Sequence, residues 1–428
     1  MRFMPEARTE EALQAQQLKG LQWTVKHAYY GSPVYKAKLD TAGVTPESIK
    51  ELDDLRRLPF TSADDLKKGY PFPLLCVPFS EVVRIHASSG TTGKRKVLCY
   101  TQKDIQDWSH FFARCYEMAG LTREDRVQIA VGYGVWTAGV GFQAGCERFG
   151  AMAVPVGPGN LEMQAQFLVD FQSTVLCCTA SMGLLLAEEV SRNRLREQIS
   201  LKKMIFGSER SSLAMRRKIK ELLGLEQLFD IPGMTELYGP GTGLECPEHS
   251  GIHYWADYFL LEIVDPETLE PVPPGEVGEM VVTTLHKEGV PLIRYRTRDL
   301  SRLIPGRCAC GSILPRHDQL LGRTDDMIIF RAVNIYPGQI DEILSRVEGI
   351  GSEFQIVLER EQGLDSMLLR IEREQGLDAE GDRQIVPIIT QKIKNQLLVA
   401  SEIELVDYGS LTRTVRKTKR VIDRRDGD

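Results

Sequence analysis

Apolar positions along the chain change texture three times. Near the N-terminus Leu18, Leu21 and Val25 recur at helical spacing, which predicts a helix over residues 10–28, and the polar, charged stretch 61–68 predicts another before the first strands. From about residue 80 to residue 230, short apolar runs recur between amphipathic segments: 127–131 (VQIAV), 152–156 (MAVPV), 174–178 (TVLCC) and 203–206 (KMIF). That alternation is the pattern of an α/β domain with mainly parallel sheets.

Between 258 and 304 strand-like runs come closer together, at 259–264 and 280–284, separated by the turn segment PVPPG at 271–275. This texture predicts an antiparallel or barrel-like subdomain. After Asp326, Ile340, Ile343, Leu344 and Val347 form a helical stripe, 354–358 and 367–371 read as strands, and Ile389, Ile393, Leu397 and Ala400 mark another helix. A small C-terminal α+β lid domain of about 100 residues follows. The expected fold class is α/β: a large N-terminal domain with mainly parallel sheets and a barrel-like subdomain, plus that lid. At 428 residues the chain exceeds what one core usually organises, which agrees with two domains.

Composition narrows the function by exclusion. Lys and Arg total 53 against 59 Asp and Glu, a formal charge of −6, so no general field favours nucleic acid or an anionic membrane. Residues 1–14 lack an apolar signal core, and no run approaches the roughly 18 apolar residues of a spanning helix. The expectation is a cytoplasmic enzyme. Nine scattered cysteines argue against a disulfide framework, and the adjacent Cys177 and Cys178 end an apolar run and read as core.

Residues 86–94 (HASSGTTGK) concentrate hydroxyls and two glycines in a loop that ends in a cation. Hydroxyls and freed backbone N–H groups suit polyphosphate oxygens, and glycine permits their close approach. A Walker-type loop is excluded, because it needs glycine where Ser88 stands and Ser or Thr where Arg95 stands.

The segment Ser88, Ser89, Gly90, Thr91, Thr92, Gly93, Lys94 resembles the nucleotide loop of adenylate-forming enzymes, the acyl-coenzyme A synthetases and their relatives. Further motifs resemble that superfamily's in order: Gly233-Met234-Thr235-Glu236, the ribose segment 295–299 (YRTRD), the hinge 322–326 (GRTDD) and the basic tail 413–420 (RTVRKTKR). Segments 331–337 (RAVNIYP) and 133–141 (YGVWTAGVG) are similar to those of phenylacetate-coenzyme A ligases, which makes that family the nearer resemblance. The likeness covers about residues 20–425.

The resemblance implies ATP/AMP, Mg²⁺ and coenzyme A as cofactors, a small-molecule acid as substrate, and no nucleic-acid or membrane partner. A homodimer is an expectation carried over from the related enzymes. An N-terminal adenylation domain would occupy residues 1–325 and a mobile lid 326–428. Charge builds on phosphate oxygens as a carboxylate displaces pyrophosphate from the α-phosphate, so cations and aligned donors are needed there. Ser89 to Lys94 would hold the β- and γ-phosphates, Glu236 would help bind Mg²⁺, and Thr235 would contact the α-phosphate or the acyl adenylate. Asp299 would take the ribose hydroxyls, and Ser208, Glu209 and Arg210 would lie along the adenine. Asp230, Gly233 and Met234 are counted with the same site. Lys417 is the candidate adenylation lysine, with Lys419 its competitor. Arg323 and Asp325 mark the hinge, Arg331 the coenzyme A path, and Tyr133, Trp136 and Gln143 the aryl-acid pocket. The chain departs from the family's usual residues at Pro232, Gln143 and Arg416.

Cys246, His253, Cys308 and Cys310 supply three thiols and an imidazole, the donor set of a closed structural Zn²⁺ site, with His249 an alternative ligand. The Gly251-Ile-His253-Tyr-Trp255 segment resembles one that part of the phenylacetate ligase family pairs with two cysteines. Three readings of function stand at this point: an aryl-acid:coenzyme A ligase that makes phenylacetyl-coenzyme A, an adenylyltransferase acting on another acceptor such as a deazaflavin coenzyme, and a catalytically silent nucleotide-binding protein.

Overall fold

The computed structural model describes residues 2–425 apart from 89–94, 136–137, 210, 212, 332, 362–363 and 412–419. The chain divides into two compact units. The first comprises residues 1–179, 197–208 and 226–319, and the second 180–196, 209–225 and 320–428.

The first unit opens with helix α1 (Glu10–Gly31), whose N-terminal N–H groups meet the Thr9 hydroxyl, at 3.2 Å from Ala12 N, and the charges of Glu10 and Glu11. Its buried face carries Leu13, Leu21, Val25 and Ala28. Helix α2 (Pro33–Thr41) follows, with proline at its first position. Residues 61–68 form turns, not the helix that their polarity predicts. Thr61 is held extended by the strand beside it, its N–H donating to the Arg294 carbonyl (3.0 Å) and its carbonyl accepting from the Arg296 N–H (2.9 Å). Ser62 and Asp65 then close on each other (Ser62 N to Asp65 Oδ2, 2.8 Å). With Leu66 the one buried apolar side chain of the stretch, no hydrophobic face pulls it into a helix.

A hairpin of β1 (Arg84–Ala87) and β2 (Val97–Tyr100) leads into α3 (Gln102–Met118). The centre of the unit is a five-stranded parallel sheet: β3 (Arg126–Ile129), β4 (Met152–Val154), β5 (Val175–Thr179), β6 (Lys203–Gly207) and β7 (Gln227–Ile231), in spatial order 4-3-5-6-7. The predicted apolar runs all fall on these strands, and Cys177 and Cys178 are core residues of β5. Helix α4 (Ala138–Phe149) packs on α3 without intervening side chains at two points. A Cβ on Gly141 would lie 2.5 Å from the Trp108 ring, and one on Gly145 would lie 2.1 Å from Phe112 Cβ.

From residue 233 the unit becomes antiparallel. After the two-residue strands β8 (Gly233–Met234) and β9 (Gly239–Pro240), one sheet contains β10 (Gly243–Glu245), β11 (Ile252–Tyr254), β15 (Leu303–Ile304) and β16 (Arg316–His317). Another pairs β12 (Phe259–Val264), β13 (Gly278–Thr284) and β14 (Tyr295–Ser301).

In the second unit the segment after residue 326 is a small α+β domain. Strands Ile350–Glu361 and Leu364–Arg373 pair antiparallel, Glu402–Val406 and Val421–Asp423 add in parallel at the two edges, and helices Pro337–Leu344 and Asp382–Leu397 accompany the sheet. Its own core includes Ile340, Phe354, Ile371, Ile389 and Ile393. Among the described residues no helix is long and apolar enough to cross a membrane.

Candidate active site

In the parallel sheet the chain passes from β3 out to β4 and back to β5 on the other side of β3, so the order reverses between β3 and β5. Open α/β sheets bind ligands beyond the carboxyl ends of their strands at such a reversal. Tyr133 follows β3, Ser208 follows β6 with φ +72°, and Gly233 to Glu236 follow β7. Gly233 has φ +148°, and a Cβ there would lie 2.2 Å from the Gly239 carbonyl, so this turn requires glycine. Asp230 lies in β7, its N–H donating to Glu245 Oε2 (3.1 Å).

Glu236 sits in the single helical turn Thr235–Leu237 and is buried. Its carboxylate forms an ion pair with Lys96 and accepts a hydrogen bond from the Tyr295 hydroxyl (2.8 Å). Burial pushes this carboxyl up, but the Lys96 ammonium and the two hydrogen bonds outweigh burial and hold it below the usual range. Lys96 is itself fixed at the foot of the 86–94 loop: its N–H donates to Ser88 Oγ (3.1 Å) and its carbonyl accepts from Ser88 N–H (3.0 Å). The structure thus brings Ser88, Thr235 and Glu236 together through a lysine two residues beyond the loop motif.

The backbone after Glu236 is held by buried donors. The Tyr100 hydroxyl donates to the Thr235 carbonyl (3.0 Å), Lys287 Nζ to the Glu236 carbonyl (3.0 Å) and His86 Nδ1 to the Tyr238 carbonyl (2.7 Å). Lys96, Tyr100 and Lys287 escaped the sequence reading, because only the folded chain puts them beside Thr235 and Glu236. Tyr295, although inside the ribose segment, had no role of its own there.

Asp299 is buried in an irregular stretch of β14, where the pairing with β13 slips and Arg298 takes φ +68°. Its N–H is held by Thr297 Oγ1 (3.0 Å), while Arg296 and Arg298 both ion-pair with Glu279 (2.7 and 3.7 Å). Tyr133 is part-exposed, and its ring lies so close to Gly139 that a Cβ there would come within 2.5 Å. Gln143 bonds Glu147 one turn on (2.9 Å). In the second unit, Glu209 accepts from the Ser181 N–H (2.6 Å), Arg323 and Asp325 form a two-pronged surface ion pair (2.8 and 2.9 Å), and Arg331, with φ +49°, donates to the Asp365 carbonyl. Ser89, Gly90, Thr91, Thr92, Gly93, Lys94, Trp136, Arg210, Lys417 and Lys419 lie outside the described residues.

Apart from this site, Cys246, His253, Cys308 and Cys310 place their ligand atoms within 4.8 Å of one another. Cys246 Sγ lies 3.6 Å from Cys308 Sγ, and Cys310 Sγ lies 3.4 Å from His253 Nε2. A tetrahedron with Zn–S of about 2.3 Å and Zn–N of about 2.0 Å has edges of roughly 3.5–3.8 Å; the 3.6 and 3.4 Å separations are close to these, while the group as a whole spans up to 4.8 Å. His253 Nδ1 donates to the Leu314 carbonyl (2.8 Å), which leaves Nε2 with its lone pair facing the thiols. His249, the alternative ligand, instead meets Gln227 (3.0 Å) and Glu245 (3.4 Å).

Two family descriptions match the chain: AMP-binding enzyme over residues 16–286 and AMP-binding enzyme C-terminal domain over residues 332–425. The chain is 41% identical to the phenylacetate-coenzyme A ligase of Escherichia coli, across 98% of this chain and 97% of that one. It is 40% identical to the protein of that name from Thermus thermophilus, across 99% and 100%. Among solved structures, 2-hydroxyisobutyryl-CoA ligase in the postadenylation state with 2-HIB-AMP bound superposes with a TM-score of 0.87 at 29% identity, covering 98% of this chain and 90% of that one. The chain belongs to the AMP-binding enzymes and, within them, to the phenylacetate-coenzyme A ligase family. Its reaction class is that of an AMP-forming acid:coenzyme A ligase, which uses ATP and coenzyme A.

The buried His86 supplies a pH test of this region. Its ring lies against Tyr100 and Trp108 at 4.1 and 4.8 Å between centroids, and burial pushes its pKa down from 6.5 to about 3, although the Tyr238 carbonyl favours the protonated ring. Below pH 6.5 the unfolded chain takes up a proton that the native ring refuses, so this contribution to stability is lost as pH falls from 6.5 towards 3. His86→Gln keeps a donor for the Tyr238 carbonyl and removes the titration. Unfolding free energies from denaturant titrations across that range should decline less steeply in the variant, by up to about 1.4 kcal/mol per pH unit. An unchanged slope would place the acid sensitivity elsewhere.

Proposed function

We propose that this ligase activates phenylacetate or a similar arylacetic or aromatic acid. The acid's carboxylate oxygen attacks the α-phosphorus of Mg-ATP, the bond to the β-phosphate oxygen breaks, and pyrophosphate leaves. The thiol sulfur of coenzyme A then attacks the acyl carbon, and AMP leaves as the thiol gives up its proton. The observation that carries this reading is the buried carboxylate of Glu236, kept charged by Lys96 and Tyr295, in a chain 41% identical to a phenylacetate-coenzyme A ligase.

Mg²⁺ prefers one or two carboxylates plus phosphate oxygens, and Glu236 is the residue we assign to hold it. Ser89 to Lys94 hold the β- and γ-phosphates with Ser88 at the start of the same loop, Thr235 contacts the α-phosphate or the acyl adenylate, and Asp299 accepts from the ribose hydroxyls. Ser208, Glu209, Arg210, Asp230, Gly233 and Met234 complete the nucleotide site. Tyr133, Trp136 and Gln143 line the acid pocket, where flat aromatic walls suit an aryl group. Lys417 is assigned to the charge between attacking carboxylate and leaving pyrophosphate, on a lid of residues 326–428 that turns about Arg323 and Asp325 and brings Arg331 to coenzyme A. The Cys246, His253, Cys308 and Cys310 cluster is assigned one structural Zn²⁺, which leaves no open position for chemistry.

Purified protein with Mg-ATP should release pyrophosphate and AMP when given phenylacetate, hydroxyphenylacetate or indoleacetate, and should form the corresponding thioester when coenzyme A is added. Pyrophosphate release with a medium-chain fatty acid and with none of the aryl acids would overturn the substrate assignment. AMP transfer that ignores coenzyme A would point to another acceptor.

Elemental analysis should find about one zinc per chain. Cys308→Ser should lose that metal and melt several degrees lower while ATP still binds. Zinc-free protein after growth in zinc-supplemented medium would remove the metal assignment and leave the ligase reading intact.

A further inference from the structure

Residues 235–241 have more buried side-chain donors on their carbonyls than the assigned roles require. Besides Tyr100, Lys287 and His86, the Trp108 indole donates to the Pro240 carbonyl (3.0 Å) and the Trp255 indole to the Gly241 carbonyl (2.6 Å). Within this stretch Tyr238 takes φ +79°, a conformation that strains a bulky residue unless its surroundings over-determine it. The donors supply that over-determination.

Lys287 differs from the other four. A fully buried ammonium loses its hydration, and an apolar side chain of similar length would occupy the same volume at lower cost. Burial pulls its pKa down from 10.5 to about 8, and the surroundings offset part of that loss, so that the ammonium keeps its proton at neutral pH. Its Nζ lies 4.7 Å from the Tyr100 ring centre and 5.0 Å from that of Tyr238, within reach of cation–π attraction. Asp104 and Glu236 attract it, and Cys99 faces it from the same strand as Tyr100. Asp104 also fixes the turn that carries it, accepting from the Glu288 N–H (2.8 Å) and the Gly289 N–H (2.9 Å). Gly289 itself has no room for a side chain, since a Cβ would lie 2.2 Å from the Cys99 carbonyl.

We infer that Lys287 is a positioning residue for acyl-adenylate formation: its ammonium fixes the Glu236 peptide, and thereby aims the Glu236 carboxylate at the metal and phosphates of ATP. Tyr100 does the same for the preceding peptide through the Thr235 carbonyl. The inference rests on the role proposed above for Glu236. It is selective for one half-reaction, because pyrophosphate, with the charge that Glu236 and its metal address, has left before coenzyme A attacks.

The full-length enzyme tests this in two assays: acid-dependent exchange of pyrophosphate into ATP, and conversion of supplied phenylacetyl adenylate with coenzyme A to thioester. Lys287→Met should slow exchange at least tenfold and leave thioester formation within twofold. Combined with Glu236→Gln it should be no slower than Glu236→Gln alone, since a positioning group has nothing left to position. Exchange within twofold of the parent enzyme, an equal loss in both assays, or losses that multiply in the double variant would each overturn the inference. Should Lys287→Met fail to fold, Tyr100→Phe, which removes one hydroxyl from the same frame, takes its place, with at least a threefold loss confined to exchange expected. Glu236→Gln exchanging at the parent rate would instead overturn the role of Glu236. A slow Glu236→Gln beside a fast Lys287→Met would overturn only the inference about Lys287.

Discussion

A carboxylate that stays charged out of contact with water is the constraint on which the rest of this site depends. Glu236 bears that cost because Lys96 and Tyr295 face its side chain and Lys287 its carbonyl. Breaking such a buried pair typically costs about 3–5 kcal/mol, since the charge left behind has no partner. The partners arrive from distant parts of the chain: Lys96 from the β1–β2 hairpin, Tyr295 from β14, and Lys287 from the turn capped by Asp104. One side chain therefore ties the parallel sheet, the hairpin and the antiparallel subdomain to a common point. The chemistry of an acid:coenzyme A ligase, which must handle a metal and a leaving pyrophosphate, is consistent with a fixed negative charge there.

The parts legible from sequence were those with local causes. Four of the parallel strands could be read because each coincides with a short apolar run, most fully buried in β5 and β6, and Cys177 and Cys178 could be read as core for the same reason. Residues 61–68 could not, because what decides their conformation is the strand at 294–296, more than 200 positions away. The ordered motifs led to the family, since each is short and contiguous. The lysines around Glu236 were hidden: Lys96 stands two residues past the loop motif, and nothing near Lys287 in sequence announces a buried cation between two tyrosines. Long-range pairing is invisible to periodicity, and in this site it supplies the electrostatics.

The cysteine cluster shows the complementary case. Its donor set was readable from residue types, and the choice between His249 and His253 was not. The fold sets His253, not His249, beside the thiols: His253 lies in β11 opposite Arg316, with Nδ1 occupied by the Leu314 carbonyl, while His249 stands on the loop between β10 and β11 and turns to Gln227. The same small sheet connects the loop bearing Cys308 and Cys310 to the strand leaving Cys246. A metal there would brace the antiparallel subdomain and take no part in the reaction.

The most direct test of the central claim is pyrophosphate exchange by Lys96→Met, measured on protein whose circular dichroism matches that of the parent. With its ammonium removed, burial dominates and Glu236 takes up a proton, so exchange should fall at least tenfold. Exchange within twofold of the parent rate would show that the charge on Glu236 does not depend on Lys96, or that the reaction does not depend on that charge, and either result would contradict the account.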